Sequence, residues 1–415
     1  LRCLSPQAIH IACVTERKLT AIKETQKMDI KTTKEIFKAA LFTPRRNGRW
    51  GLPLLGEASP GVGKSAQVEA WSRELGLKPI TLITSLRTAE DMAGFPYVAE
   101  DRSHFSFIDP MWVKEANEAE NCVVFFDEMT AGASPRMFSA MLRIILDGVA
   151  GDKEIAKGAR FIGMCNPPEQ SPGGKALPMP NANRFGHFSW PAPDVDSWCD
   201  FMMDVPTEVS EQKPVCALDE QERVMKEWPK AWRRASALYT SFIQRKPSLL
   251  NSPPDVDSPE ASKAWPSPRS NDFAVHALAA SFVHNLSETS QLEFVSAFVG
   301  MEVASEFVHF MNNLDLPVPE DVLDGKVKFK HNSRKLDKTY VVLKECLSVL
   351  GETPKKKLDD RAKVYFSILE EVSLEQPDLV VPLVKGLFKL KLAQKPYAAP
   401  VLQRVNPSLV GAGIG

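Results

Sequence analysis

The sequence predicts a three-layered α/β domain on a mostly parallel five-stranded sheet, followed by helical regions. Three observations predict it. Between about Met28 and Trp190, short apolar runs alternate with longer amphipathic ones, the pattern of parallel strands that return through helices. The first apolar run passes through a glycine-bearing loop into a helix-like stretch. After Trp190 the short runs stop, and apolar residues recur at spacings of three and four, as on helices packed by one face.

The strand candidates are 52–57, 79–84, 122–127, 159–166 and 187–190. Helical periodicity is clearest over 222–245 and 272–284. Between them, residues 247–268 hold six prolines and several serines, which reads as a loop or tether. From about Lys330 onward two stripes read as buried helix faces, Tyr340, Leu343, Leu347, Leu350 and Tyr365, Ile368, Leu369, Val372. Lys355, Lys356 and Lys357 lie between them and read as a solvated surface loop rather than a phosphate-binding patch. Trp228 and Trp232, four apart, suggest packing between the helical region and the α/β core. The expected domains are a nucleotide-binding core over 28–200, a helical region over 201–330 and a second one over 331–415. Residues 1–27 read as an N-terminal extension or tag remnant.

With 415 residues the chain has room for two to three domains of roughly 150 residues each. Lys and Arg total 51 against 52 Asp and Glu, so no global positive field attracts a nucleic-acid backbone. The hydrophobic fraction of 44% and charged fraction of 25% are those of a soluble globular protein. No apolar run approaches the roughly 20 residues of a membrane-spanning helix. Seven scattered cysteines, none in a CxxC pair, read as reduced thiols in a cytosol, and a cytoplasmic location is expected. Charges throughout the first 27 residues, with His10 interrupting their one apolar stretch, argue against a secretory leader there.

The chemistry concentrates in Ala58-Ser59-Pro60-Gly61-Val62-Gly63-Lys64-Ser65, between a strand and a helix predicted to run to about Leu75. It matches the phosphate-binding pattern GxxxxGK[ST] with Ala58 in place of the first glycine, a position that needs mainly a small residue. Gly61 and Gly63 let backbone N–H groups close around a β-phosphate, and the helix N-terminus adds partial positive charge. Pro60 stiffens the loop, Lys64 reaches the β- and γ-phosphates, and the Ser65 hydroxyl ligates Mg²⁺. About 60 residues on, Cys122-Val123-Val124-Phe125-Phe126 ends in Asp127 and Glu128. In a nucleotide site Asp127 holds the hydrated metal and Glu128 polarises the attacking water. Asn166 ends the next strand candidate, where an amide orients the same water; Pro167 stops the strand. An ordinary strand-end turn is the other reading of Asn166.

This order of motifs resembles that of AAA+ ATPases of the MoxR-like branch, over most of the chain from about Thr43 to Lys391. The loop at Ser59 to Ser65, the acidic strand end at Asp127 and Glu128, and Asn166 match its Walker A, Walker B and sensor 1 motifs. They are followed by a Pro- and Gly-rich stretch leading to Asn183-Arg184-Phe185. The resemblance makes Arg184 an arginine finger reaching the γ-phosphate bound by a neighbouring subunit. It makes Arg269, in Trp265-Pro266-Ser267-Pro268-Arg269-Ser270, the sensor 2 contact at the start of a lid helix. Arg136 and Arg143 are weaker candidates for a contact in trans. The runs at 166–170 and 182–185 are similar to those of a bacterial and phage subgroup often paired with VWA-like proteins. Residues 86–98 lie where relatives place loops facing the ring channel or partner, with Phe95 either a substrate-facing aromatic or part of a turn anchored in the core.

The resemblance implies a Mg²⁺-dependent ATPase in a ring, expected to be a hexamer, that acts like a chaperone on a protein partner. ATP is expected over GTP, since no NKxD-type guanine motif occurs. Two other classes stand beside this reading: a nucleic-acid motor, disfavoured by the near-neutral charge, and a non-catalytic nucleotide-gated scaffold, disfavoured by the presence of Asp127, Glu128, Asn166 and Arg184 together. No membrane partner is expected.

Overall fold

The computed structural model describes residues 29–131, 134–171, 176–203, 215–314, 316–333 and 336–411. Residues 1–27, and part of the Pro- and Gly-rich stretch before Asn183, lie outside the described residues. The chain divides into two compact units, residues 1–222 and 223–415.

The first unit opens with helix α1 (Ile30–Leu41), capped by Asp29, whose carboxylate accepts from the Thr32 N–H at 2.6 Å. Its buried positions Thr33, Ile36, Phe37 and Ala40 follow the three-and-four spacing of one helix face. The central sheet contains β1 (Leu54–Glu57), β2 (Lys78–Ile83), β5 (Cys122–Asp127), β8 (Ala159–Cys165) and β9 (Gly186–Ser189). All its pairings are parallel, and the spatial order is β2-β5-β8-β1-β9.

Burial follows that order. All seven residues of β8 are buried, as are the first five of β5, because both faces of an interior parallel strand are covered by helices. The edge strands β2 and β9 are only partly buried. Helices α2 (Lys64–Glu74), α3 (Ala89–Ala93), α4 (Met111–Ala119) and α5 (Pro135–Asp147) supply the crossovers. Trp112, Val113, Met137, Met141 and Ile144 from these helices join Val124, Phe126 and Phe161 of the sheet in one core.

Two hairpins escape the strand pattern. Strands β3 (Phe95–Val98) and β4 (Phe105–Ile108) pair antiparallel with Phe95 opposite Ile108, and β6 (Val149–Ala150) pairs with β7 (Lys153–Glu154). Phe95 is 63% exposed, so the core-anchored turn is not what forms. Short hairpin strands bury too little on one face to leave a period-two pattern in the sequence.

Helix α5 ends at Gly148 in the left-handed region (φ 68°), with the Gly148 N–H bonded to the Ile144 carbonyl at 2.9 Å. A Cβ there would lie 1.9 Å from Cζ of Arg49, whose buried guanidinium donates to the Ile155 and Ala156 carbonyls. The missing side chain thus serves both the helix end and the arginine. The short α6 (Met179–Ala182) precedes β9, and α7 (Val195–Met203) follows it.

The second unit is helical. Helix α8 (Ala217–Arg245) runs into it from the first, and α9 (Pro268–Val283), α10 (Glu288–Val299) and α11 (Met301–Asn312) follow. Tyr239, Phe242, Phe307 and Phe310 pack ring against ring between α8 and α11, at centroid distances of 5.0–6.1 Å. Trp228 and Trp232 stack on each other and pack at a tilt against His276 of α9, within this unit. A second core joins α12 (Pro319–Leu323), α13 (Leu336–Glu352), α14 (Lys355–Glu375), α15 (Val381–Lys389) and α16 (Ala399–Gly411). Both sequence stripes lie in it, with Leu347 partly buried.

Lys355, Lys356 and Lys357 depart from the expected loop: they are exposed and form the first turn of α14, preceded by Pro354. Three cations at a helix N-terminus oppose the helix dipole by a few tenths to about 1 kcal/mol each. Burial of Ala362, Tyr365, Phe366 and Leu369 further along outweighs that cost.

Gly148→Ala is expected to destabilise the first unit by about 2 kcal/mol, through strain and displacement of Arg49. Gly325→Ala, also at positive φ (73°) but with nothing within 4 Å of the added Cβ, is expected to cost about 1 kcal/mol. Urea-unfolding midpoints of the two variants check the difference.

Candidate functional site

The parallel register carries β1, β8 and β5 side by side, so the residues that follow their C-terminal ends converge along one edge of the sheet. The loop after β1 turns through Gly61 and Gly63, both at φ 82°, into α2, whose first residue is Lys64. Space does not demand these glycines. A Cβ on Gly61 would meet nothing within 4 Å, and one on Gly63 only Gln67 at 3.9 Å, so the left-handed backbone is what requires them.

Lys64 is almost fully buried, and its ammonium donates to the carbonyls of Ala58 (2.8 Å) and Ser59 (3.1 Å) and to Oδ1 of Asn166 (2.5 Å). Burial pushes its pKa down, partly countered by the Asp127 carboxylate. The Ser65 hydroxyl donates to Oδ2 of Asp127 at 2.6 Å, and Oδ1 of the same carboxylate accepts from the Glu128 N–H at 2.9 Å. Lys64, Ser65, Asp127, Glu128 and Asn166 therefore form one connected cluster.

Glu128 sits at φ 52°, a conformation that costs a non-glycine residue about 1 kcal/mol or more. Its neighbours hold it there: the Met129 N–H bonds to the Met164 carbonyl at 2.8 Å, and the Thr84 hydroxyl meets the carbonyls of Asp127 and Glu128, each at 2.8 Å. The Ser85 hydroxyl donates to Oε2 of the Glu128 carboxylate. Thr84 and Ser85 escape the sequence reading. Their only signal is a pair of hydroxyl residues at the end of β2, and they matter because β2 is the neighbour of β5.

Arg184 is not part of this cluster. It follows α6 and precedes β9, and the pairing of Leu54 with Gly186 places it beside the N-terminal end of β1. Four strand residues at about 3.3 Å each separate that end from the glycine loop, so Arg184 stands on the order of 10 Å or more away along the strand direction. One of its guanidinium nitrogens donates to the Pro180 carbonyl. Arg143 donates to the Gly151 carbonyl at 2.7 Å, and Arg136 is exposed on the first turn of α5. Arg269 belongs to the second unit, exposed in the first turn of α9 behind the capping residue Ser267.

The donor set suits Mg²⁺: one hydroxyl beside a carboxylate is a partial shell of hard oxygens, and this small cation is commonly completed by substrate phosphates and water. The Lys64 ammonium is held by neutral acceptors that phosphate oxygens can replace.

No family model matches the chain. No curated protein matches it. Among solved structures it is similar to a protein from Cytophaga hutchinsonii described as a candidate ATPase, at 16% identity and a TM-score of 0.42, over 72% of this chain and 89% of that one. A likeness of that strength leaves the reading of the site to its own geometry.

Beside the cluster, the Cys165 thiol is pushed up to about 12 by burial, and Cys122 at the start of β5 to about 11. Both stay protonated and enclosed at pH 8. Alkylation of the native chain with iodoacetamide is expected to label the exposed Cys199 and Cys216 and to reach Cys165 and Cys122 only after unfolding, as read by peptide mass spectrometry.

Proposed function

We propose that this chain is a Mg²⁺-dependent ATPase of the MoxR-like AAA+ type that works as a ring on a protein partner. The observation that carries the reading is the single cluster of Lys64, Ser65, Asp127, Glu128 and Asn166 at the mouth of a left-handed glycine loop.

In this reading Ser59 to Gly63 present backbone N–H groups to the phosphates, and the start of α2 adds its dipole. Lys64 exchanges its loop carbonyls for the β- and γ-phosphate oxygens. Ser65 and Asp127 would hold Mg²⁺, which when bound offsets charge on those phosphates. Glu128 accepts a proton from the attacking water, which the Asn166 amide orients. Ser85 keeps the Glu128 carboxylate bound to a hydroxyl until a nucleotide competes for it.

The position of Arg184 supports a shared site. An arginine at the N-terminal end of the sheet does not serve the phosphate loop of its own chain, and a ring presents it to a neighbour. Arg269 is assigned the contact in cis by motif order. A hexamer, a VWA-like partner and coupling of hydrolysis to movement of a helical lid over 201–330 follow from the resemblance.

ATP turnover per subunit, measured against protein concentration, tests this. The rate is expected to rise with concentration. Lys64→Ala is expected to abolish nucleotide binding, and Glu128→Gln to keep binding while lowering turnover about 10²–10⁴-fold. Arg184→Ala is expected to lower turnover about 10³-fold or more. Mixing Arg184→Ala with Glu128→Gln is expected to restore part of the activity, since some interfaces then pair an intact Glu128 with an intact Arg184. Unchanged ATP binding by Lys64→Ala would overturn the nucleotide site; a concentration-independent rate with no rescue would overturn the ring.

A further inference from the structure

The second unit carries two adjoining cavities that share Lys338, of about 460 and 420 Å³. In the first, Phe242, Phe310 and Leu314 form an apolar floor. Its cations Arg245 and Lys246 are already matched, by Asp337 at 2.7 Å and by Glu306 at 2.5 Å. In the second, Leu316, Pro317 and Phe329 form the floor, and Lys328, Lys330 and Lys338 the rim. No acidic residue among the described ones lines this second cavity.

Lys328 and Lys330 are exposed and have no ion pair among the described residues, whereas nearby Lys326 is held by Asp321 at 2.9 Å and Asp324 at 3.9 Å. Phe329 turns inward between them to pack on the core of α12 to α16. The two ammonium groups thus leave one short segment, with Cα atoms no more than about 7 Å apart. Carboxylates two residues apart on an extended peptide have nearly that spacing, about 6.6 Å. The acidic groups Glu371 and Glu375 lie beside His331, at the end of the segment.

We propose that this trough docks an extended acidic segment of a partner protein, in which carboxylates alternate with apolar side chains. Two cavities in tandem suit a chain several residues long. Apolar floors take its alternate side chains, and Lys328 and Lys330 take its carboxylates. A nucleic-acid strand fits less well: Phe329, the one aromatic residue among the described ones lining the second cavity, packs on the core, and Arg245, which lines the first, is already engaged by Asp337.

The test is fluorescence anisotropy of a labelled decapeptide alternating Glu and Leu, titrated with the full chain, with a ten-nucleotide oligothymidylate measured in parallel. The peptide is expected to bind saturably and more weakly as salt rises. Lys328→Glu with Lys330→Glu is expected to weaken it at least about tenfold, and Lys328→Ala with Lys330→Ala by a smaller factor, with thermal midpoints unchanged because both side chains are exposed. Absence of saturable peptide binding, equal affinity of the charge-reversed variant, or tighter lysine-dependent binding of the oligothymidylate would each overturn the proposal. Glu128→Gln is expected to bind the peptide as the wild type does, which separates this result from the fate of the ATPase reading.

Discussion

The arrangement of the first unit depends on one topological constraint: β8 lies between β1 and β5. Successive strands of the chain are therefore not neighbours at this point, and the ends of three strands far apart in sequence meet along one edge. Without β8 in that place, Asn166 does not reach the Lys64 ammonium and the Met164 carbonyl does not meet the Met129 N–H. The central strands can occupy these positions because their residues are apolar on both faces, whereas β2 and β9 carry enough polar surface to stand at the edges.

The electrostatics of the cluster follow from that geometry. A buried cation is costly unless oxygen acceptors surround it. Lys64 has three, two of them carbonyls of the loop it stabilises. Asp127 is held from two sides, by a hydroxyl of α2 and by the N–H of the next residue. The strained backbone of Glu128 is fixed by the Thr84 hydroxyl, in the turn that follows β2, and by the Met164 carbonyl of β8. These hydrogen bonds set the positions of the Lys64, Asp127 and Glu128 side chains.

The second unit solves a different problem, covering long amphipathic helices with no sheet. Aromatic contacts between α8 and α11 and the core of α12 to α16 do so. The lysines at 328 and 330 differ there from Arg245, Lys246 and Lys326, each of which is matched by a carboxylate.

Much of this was determined by the sequence alone. The five sheet strands were legible because apolar runs in a parallel sheet must be covered on both faces, and the glycine loop because only glycine takes its left-handed turns without strain. Lys64, Ser65, Asp127, Glu128 and Asn166 stood out by spacing from those elements. The tertiary structure alone decided which strand ends are adjacent. It thereby added Thr84 and Ser85, ordinary hydroxyl residues until β2 is seen beside β5, and it placed Arg184 at the far end of the sheet from its own loop. It also made the short hairpins and turned the Lys355 run into a helix. The physical reason is common to all of these: local periodicity records which face of a segment is buried, whereas strand order and cross-strand hydrogen bonds depend on partners tens of residues away.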